Sequence, residues 1–209
     1  MMKIKAIIFD MDGVLIDAKD WHYESLNKAL GLFGHEISRY DHLVTFDGLP
    51  TKKKLEMLSL DGGFPKGLHS FVNELKQQYT LDIDYSKCKP IFQHQYALSR
   101  LKTSGYMLAV CSNSIRNTIE IMMEKSELAP YLNFIISNQD VKHGKPDPEM
   151  YNKAINKLGL NPSECLIVED NDNGVKAALA SGANLLKVEN PYDVNYNNII
   201  NKINEIENA

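Results

Sequence analysis

The chain is poor in the residues that would build a disulfide scaffold or a membrane span. Its 209 residues include only three cysteines, Cys88, Cys111 and Cys165. An odd number without paired spacing argues against a disulfide framework, and no cysteine–histidine cluster suggests zinc. Cys111 and Cys165 lie inside apolar runs and read as small buried hydrophobes. No apolar stretch approaches the roughly 20 residues that cross a bilayer. The one early apolar run is interrupted by Asp10 and Asp12, unlike a signal peptide. A reduced, cytoplasmic setting without membrane contact is therefore expected. Positive charge is not in excess either: 23 Lys and Arg against 27 Asp and Glu give a formal net charge of −4. That balance disfavours a nucleic-acid partner bound by neutralising many phosphates. It leaves room for a local basic pocket that holds a small anion. Internal repeats are absent, and the only biased segment is the Asn-rich C-terminus.

What is present is enough apolar material for a proper core, 44% of the residues. Short apolar runs recur at Ile4–Asp10, Met107–Ser112, Phe134–Ser137, Cys165–Glu169 and Asn184–Val188. They are strand-length and show little polar alternation, the pattern of strands buried on both faces of a parallel sheet. Helical periodicity lies between them. Ile115, Ile119, Met122 and Met123 share a face, and Tyr151, Ala154, Ile155 and Leu158 repeat at helical spacing until Gly159. A further helix is expected from Gly174 to Ala180, and a last one on Ile199, Ile200, Ile203 and Ile206. The expected fold class is α/β, a doubly wound parallel sheet of Rossmann-like type. Residues 17–87 break the alternation. Three helical stripes, on Leu26–Phe33, Leu55–Leu58 and Leu68–Tyr79, are separated by glycine- and proline-containing turns. The expected organisation is an α/β core from residues 1–16 and 88–209, with an all-helical insert at 17–87 directly after the first strand.

Open α/β sheets bind ligands at the carboxyl ends of their strands. There the sequence places Asp10-Met11-Asp12-Gly13, Ser112-Asn113, Gly144-Lys145-Pro146-Asp147-Pro148 and Glu169-Asp170-Asn171-Asp172. Carboxylates crowded on one edge repel and raise one another's pKa. A divalent cation relieves this, and oxygen ligands without histidine or cysteine favour Mg²⁺. A lysine and a serine beside such an ion can hold a phosphoryl group. A carboxylate nucleophile can then form an acyl phosphate.

The ordered set Asp-Met-Asp-Gly-Val-Leu-Ile-Asp, Ser112-Asn113, Gly-Lys-Pro-Asp-Pro-Glu and Val-Glu-Asp-Asn-Asp-Asn-Gly resembles the haloacid dehalogenase superfamily. Within it, the chain is similar to the branch of phosphoglycolate phosphatases and β-phosphoglucomutases, which carry a helical cap. The resemblance implies that Asp10 attacks phosphorus, and that Asp12 protonates the leaving group and then activates water. It implies that Ser112 and Asn113 hold phosphoryl oxygens and that Lys145 neutralises the phosphate and steadies Asp10. Asp10, Asp12 (through its backbone carbonyl), Glu169 and Asp170 would form the Mg²⁺ site, with Asp170 the direct contact and Asp172 helping through water. In the cap it implies that His22 assists the active site, and it points to Thr51 and the lysine run beginning at Lys52, after the Gly48-Leu49-Pro50 turn, as the region that contacts substrate; Lys76 is expected to face the cleft. Mutase-like relatives carry an arginine where Thr51 stands here.

Three functions compete. The favoured one is a Mg²⁺-dependent phosphatase acting on a small sugar or polyol phosphate, as a monomer. The second is a phosphosugar mutase, against which Thr51 weighs. The third is a phosphoacceptor signalling domain, whose phosphoaspartate must persist; Asp12 is placed to shorten that lifetime. Asp12 also favours phosphoryl transfer over dehalogenation, which has no leaving alkoxide to protonate.

Overall fold

The computed structural model describes residues 3–46 and 48–208. The two ends of the expected core segments, 1–2 and 209, and one position of the insert, 47, lie outside the described residues. Five parallel strands form one sheet: β1 (Ala6–Phe9), β2 (Met107–Cys111), β3 (Phe134–Ile136), β4 (Cys165–Glu169) and β5 (Asn184–Lys187). Their spatial order is β3-β2-β1-β4-β5. The first strand is thus central, paired in register with β2 on one side (Phe9 beside Val110) and with β4 on the other (Phe9 beside Val168). Every residue of β1 and β4 is buried, which explains why those runs are apolar without alternation.

Alternate residues serve opposite layers. Ile7, Phe9, Leu108, Val110, Leu166 and Val168 belong to a hydrophobic cluster. It is completed by helices α5 (Phe92–Thr103), α6 (Arg116–Lys125) and α9 (Tyr196–Asn208). Ala6, Ile8, Cys111 and Ile167 face the other way, onto α7 (Glu149–Leu158) and α8 (Asp172–Ala180). Gly159 closes α7 in a left-handed conformation at φ 68°, as its position after the apolar stripe implies.

The helical cap follows β1. It consists of α1 (Lys19–Gly31), a short α2 (Arg39–Asp41) running into a wide turn to Phe46, α3 (Thr51–Asp61) and α4 (His69–Lys87). These elements have a core of their own, in which Leu26, Leu30, Phe46, Leu55, Phe64 and Val72 are buried. Helices α1 and α4 lie side by side, and α4 also packs on α6 of the core. The stripe expected on α4 is incomplete: Phe71 is half exposed, at 53%. Helix α5 has no counterpart among the helices expected from sequence periodicity.

Candidate active site

The first strand delivers Asp10 to the sheet edge, where the chain turns at once. Gly13 has φ +86°, and a Cβ there would stand 2.2 Å from Asp170 Oδ2. Only glycine permits both the dihedral angle and the approach. Asp10 is 4% exposed and Lys145 likewise 4%. Lys145 Nζ donates to Asp10 Oδ1 at 2.6 Å, to Glu169 Oε1 at 2.7 Å and to the Cys111 carbonyl at 2.8 Å. All three protons of the ammonium are therefore used, by three different strand ends. Burial works against the charged amine, but Asp10 and Glu169 outweigh it and raise the Lys145 pKa. Burial and the neighbouring Glu169 push the Asp10 carboxyl well above the usual range, with Lys145 pulling the other way.

Glu169 is completely enclosed. Besides Lys145, its Oε1 accepts from the Tyr151 hydroxyl. Its Oε2 accepts from the Asp170 amide at 3.1 Å. A Cβ at Gly174 would lie 1.9 Å from Glu169 Oε1, so glycine in the first turn of α8 admits this side chain. The helix itself is capped by Asn171, whose side chain accepts from the Gly174 amide, so neither Glu169 nor Asp170 is occupied in capping.

One carboxylate oxygen each from Asp10, Glu169 and Asp170 lie within 4.8 Å of one another. Burial raises the Asp170 pKa, and the Lys19 amine, 2.6 Å from Oδ2, opposes that rise. A buried cluster of hard oxygen donors, with two acids whose ionisation is disfavoured, suits a small divalent cation. Glu169 is fully enclosed and held through Oε1 by the buried Lys145 and Tyr151, whereas Asp170 Oδ2 is met by the partly exposed Lys19 amine, so Asp10 and Asp170 are the donors better placed for direct contact.

Asp12 points elsewhere. Its Oδ2 accepts from the Ser114 hydroxyl at 3.2 Å, and its Oδ1 lies 3.0 Å from His22 Nε2. His22 Nδ1 in turn lies 3.1 Å from Lys76 Nζ. An ammonium has only protons to give, so Nδ1 accepts and the imidazole proton sits on Nε2, facing Asp12. This network makes His22 neutral. Burial and Lys76 lower its pKa accordingly, against the pull of Asp12. Burial would raise Asp12, but the His22 imidazole beside it, with Lys76 and the Ser114 hydroxyl, brings its pKa below the usual value. Burial lowers Lys76 to about 8. The cap thus reaches the core carboxylate through two side chains.

These groups line a cavity of about 310 Å³ between cap and core. Asp10, Asp12, His22, Thr51, Lys52, Ser112, Asn113 and Lys145 all contribute to its wall. Ser112 is buried, and its Oγ accepts from the Ser114 amide at 3.0 Å. The Asn113 side chain is engaged in bracing: it donates to the Gly48 and Lys145 carbonyls and accepts from the Lys145 amide. Of the lysine run, Lys52 is exposed at the rim, whereas Lys54 is buried and lines the cavity with Lys76. Asp172 is outside: its side chain is 84% exposed and pairs with Lys187. Tyr151 was expected only as part of an apolar helix face; its hydroxyl is a member of the site. The three cysteines are free and buried, and burial pushes the Cys111 thiol up to about 12, so it is no thiolate nucleophile.

The haloacid dehalogenase-like hydrolase family matches over residues 7–188, almost the whole of this fold. The chain belongs to that family. A pyrophosphatase of Bacillus velezensis is 29% identical over 189 residues, covering 86% of this chain and 81% of the relative. A phosphorylated carbohydrates phosphatase of Thermotoga maritima is 27% identical over 182 residues, covering 86% and 82%. Among solved structures, β-phosphoglucomutase from Clostridium difficile superposes with a TM-score of 0.86 at 21% identity, over 99% of this chain and all of that one. At that identity the likeness speaks for the fold alone. The haloacid dehalogenase-like core with its helical cap is the architecture of this protein.

Proposed function

We propose that this hydrolase is a Mg²⁺-dependent phosphatase that cleaves a small phosphomonoester through an aspartyl-phosphate on Asp10. The observation that carries the reading is the pair of strand-end aspartates in two separate environments. Asp10 is held against Lys145, and Asp12 two residues on is held against His22 (2.6 and 3.0 Å). Two carboxyl groups with different partners can take different roles.

Asp10 attacks phosphorus, and the bond to the leaving oxygen breaks. Asp12 donates a proton to that oxygen. Water then attacks the phosphoaspartate, Asp12 takes its proton, and the Asp10–phosphorus bond breaks to release phosphate. In the arrangement described, His22 holds Asp12 ionised, the form that accepts a proton from water. Its acid form is favoured when a dianionic phosphoryl group comes beside it. Lys145 orients Asp10 and offsets charge on the transferring group. The Ser112 hydroxyl at the cavity wall is placed to hold a phosphoryl oxygen. Asp10 and Asp170, with the Asp12 carbonyl, would hold Mg²⁺, which supplies Lewis-acid stabilisation of the phosphoryl charge. The cap covers the site and keeps bulk water from the acyl phosphate.

The test is phosphate release from a panel of sugar, polyol and short-acid phosphates, with Mg²⁺ and with chelator. Release that needs the metal and disappears in Asp10→Asn is the expected result. Release undiminished in Asp10→Asn would overturn the reading. Isomerisation that depends on an added bisphosphate, with little net release, would favour the mutase.

A further inference from the structure

Next to the polar cavity, helix α4 of the cap and the start of α6 leave a second hollow, a groove of about 280 Å³. Gln77 and Ile115 line both spaces, so the groove continues from the cavity. Helix α4 turns a separate face to it: Phe71, Leu75, Gln78 and Leu81 follow at helical spacing, and all four line the groove. Ile115 adds a further apolar side chain from the core side. Among the described residues that line it, Glu74 alone is charged, and it is exposed and accepts from the Ser70 hydroxyl. Phe71 is 53% exposed and Leu81 is half-buried, and neither belongs to the apolar clusters that hold the cap or the core together. Packing of the fold therefore does not account for these two side chains.

The position of the proton donor directs the leaving group to this groove. Asp12 must meet the leaving oxygen, and it is held between two elements. On one side is Ser114, in the loop after β2; on the other is His22, backed by Lys76 of α4. The next residue after each of Ser114 and Lys76 is Ile115 and Gln77, the pair that cavity and groove share. An alcohol that departs from Asp12 thus starts between the two elements that flank the groove. The phosphoryl group stays with Lys145, Ser112 and the acid cluster. A cavity of about 310 Å³ lies near the small end of ligand sites of roughly 300–1,000 Å³, and the groove lengthens it on the leaving-group side.

We infer that the alcohol half of the substrate carries an uncharged apolar segment, and that this segment lies in the groove between α4 and α6, over Ile115 and against the Phe71–Leu81 face. This rests on the phosphatase reading of the cavity and narrows it, because alkyl and aryl phosphates become better substrates than short polyol phosphates. Apolar surface removed from water supplies the affinity without an ionic partner. A second anion placed there would meet Glu74 as its only charged neighbour in the groove wall.

Binding separates this inference from the reading beneath it. Asp10→Asn protein, with Mg²⁺ at fixed ionic strength, is titrated calorimetrically with ethyl, butyl, hexyl and octyl phosphate. Each methylene that reaches the groove should tighten binding about two- to fourfold, so octyl phosphate should bind more than about tenfold tighter than ethyl phosphate. Adding Phe71→Ser together with Leu81→Ser should bring that ratio below about threefold. Asn117→Leu, which adds apolar surface at an exposed position on the core side of the groove, should raise it, and decides alone if the serine pair does not fold. Equal binding along the series, or a ratio that these substitutions leave unmoved, would overturn the inference even if wild-type enzyme hydrolyses every compound. A chain-length preference that the substitutions shift, without turnover of any compound by wild type, would uphold the groove and sink the phosphatase reading instead.

Discussion

Replacing Tyr151 by phenylalanine tests the internal wiring of the site with almost no change of volume. Tyr151 is fully buried on α7, and its hydroxyl donates to Glu169 Oε1. Phenylalanine keeps the ring, whose centroid lies 4.8 Å from Lys145 Nζ, and removes one hydrogen bond to a carboxylate. Hydrogen bonds to charged groups contribute about 1.5–3 kcal/mol net. Glu169 keeps Lys145 on the same oxygen and the Asp170 amide on the other, so the lower half, about 1.5–2 kcal/mol, applies. In a protein of this size 1 kcal/mol moves the midpoint by about 2–4 °C, which makes the expected loss about 3–8 °C. Thermal and urea unfolding of both proteins measure it, and the urea m-value should not change. Catalysis should also fall, because a looser Glu169 leaves Lys145 less well fixed against Asp10. Unfolding within about 0.5 kcal/mol of wild type, the range of an ordinary surface change, would refute the claim that this hydroxyl holds Glu169.

Two further outcomes follow from the charges around the cap and the metal site. Asp84 on α4 is fully buried, neither of its oxygens has a hydrogen-bond partner, and burial and Asp12 push it up from 3.8 to about 7, with Lys76 opposing. The folded chain therefore holds a proton that the unfolded chain has lost between those values. Stability from this group is full below about 3.8 and is lost as pH rises towards 7. Asp84→Asn should flatten that slope and gain a few kcal/mol at most over wild type at pH 8; parallel slopes in urea titrations at several pH values would contradict it. Lys19 lies 2.6 Å from Asp170 Oδ2, with its own side chain 31% exposed, so it competes with a divalent cation for that oxygen. A partly exposed pair contributes about 0.2–1 kcal/mol, so Lys19→Met should lower the Mg²⁺ concentration for half-maximal thermal stabilisation by about 1.4- to 5-fold. A rise in that concentration would show that Lys19 supports the metal site rather than competing with it.

The sheet was legible because doubly buried strands have no polar face: the five apolar runs contain all five strands of the described residues. Helix α5 was not, because its apolar residues fall on both sides. Ala97, Leu98 and Leu101 are buried while Phe92 and Tyr96 are 79% and 48% exposed, which blurs the stripe that periodicity needs. The strand-end acids, Ser112 and Lys145 stood out because acids and a lysine at the ends of apolar runs are conspicuous. The Tyr151 hydroxyl did not, since a tyrosine on an apolar face counts as packing until its partner is known. Within Lys52, Lys53 and Lys54 three identical side chains carry no phase. Lys54 is the one of the three that is buried and lines the cavity, next to Leu55 in the cap core. The roles of His22 and Lys76 depend on α1 lying beside α4, a tertiary contact that no local pattern encodes.

The central claim is that Asp10 becomes phosphorylated. Wild-type enzyme with Mg²⁺ and its best phosphomonoester, quenched in acid within the first turnover and mapped by mass spectrometry, should carry a phosphoryl group on the peptide containing Asp10. The same peptide from chelator-treated enzyme should carry none. Turnover with no phosphorylated peptide, or with the group on a residue other than Asp10, would contradict the account.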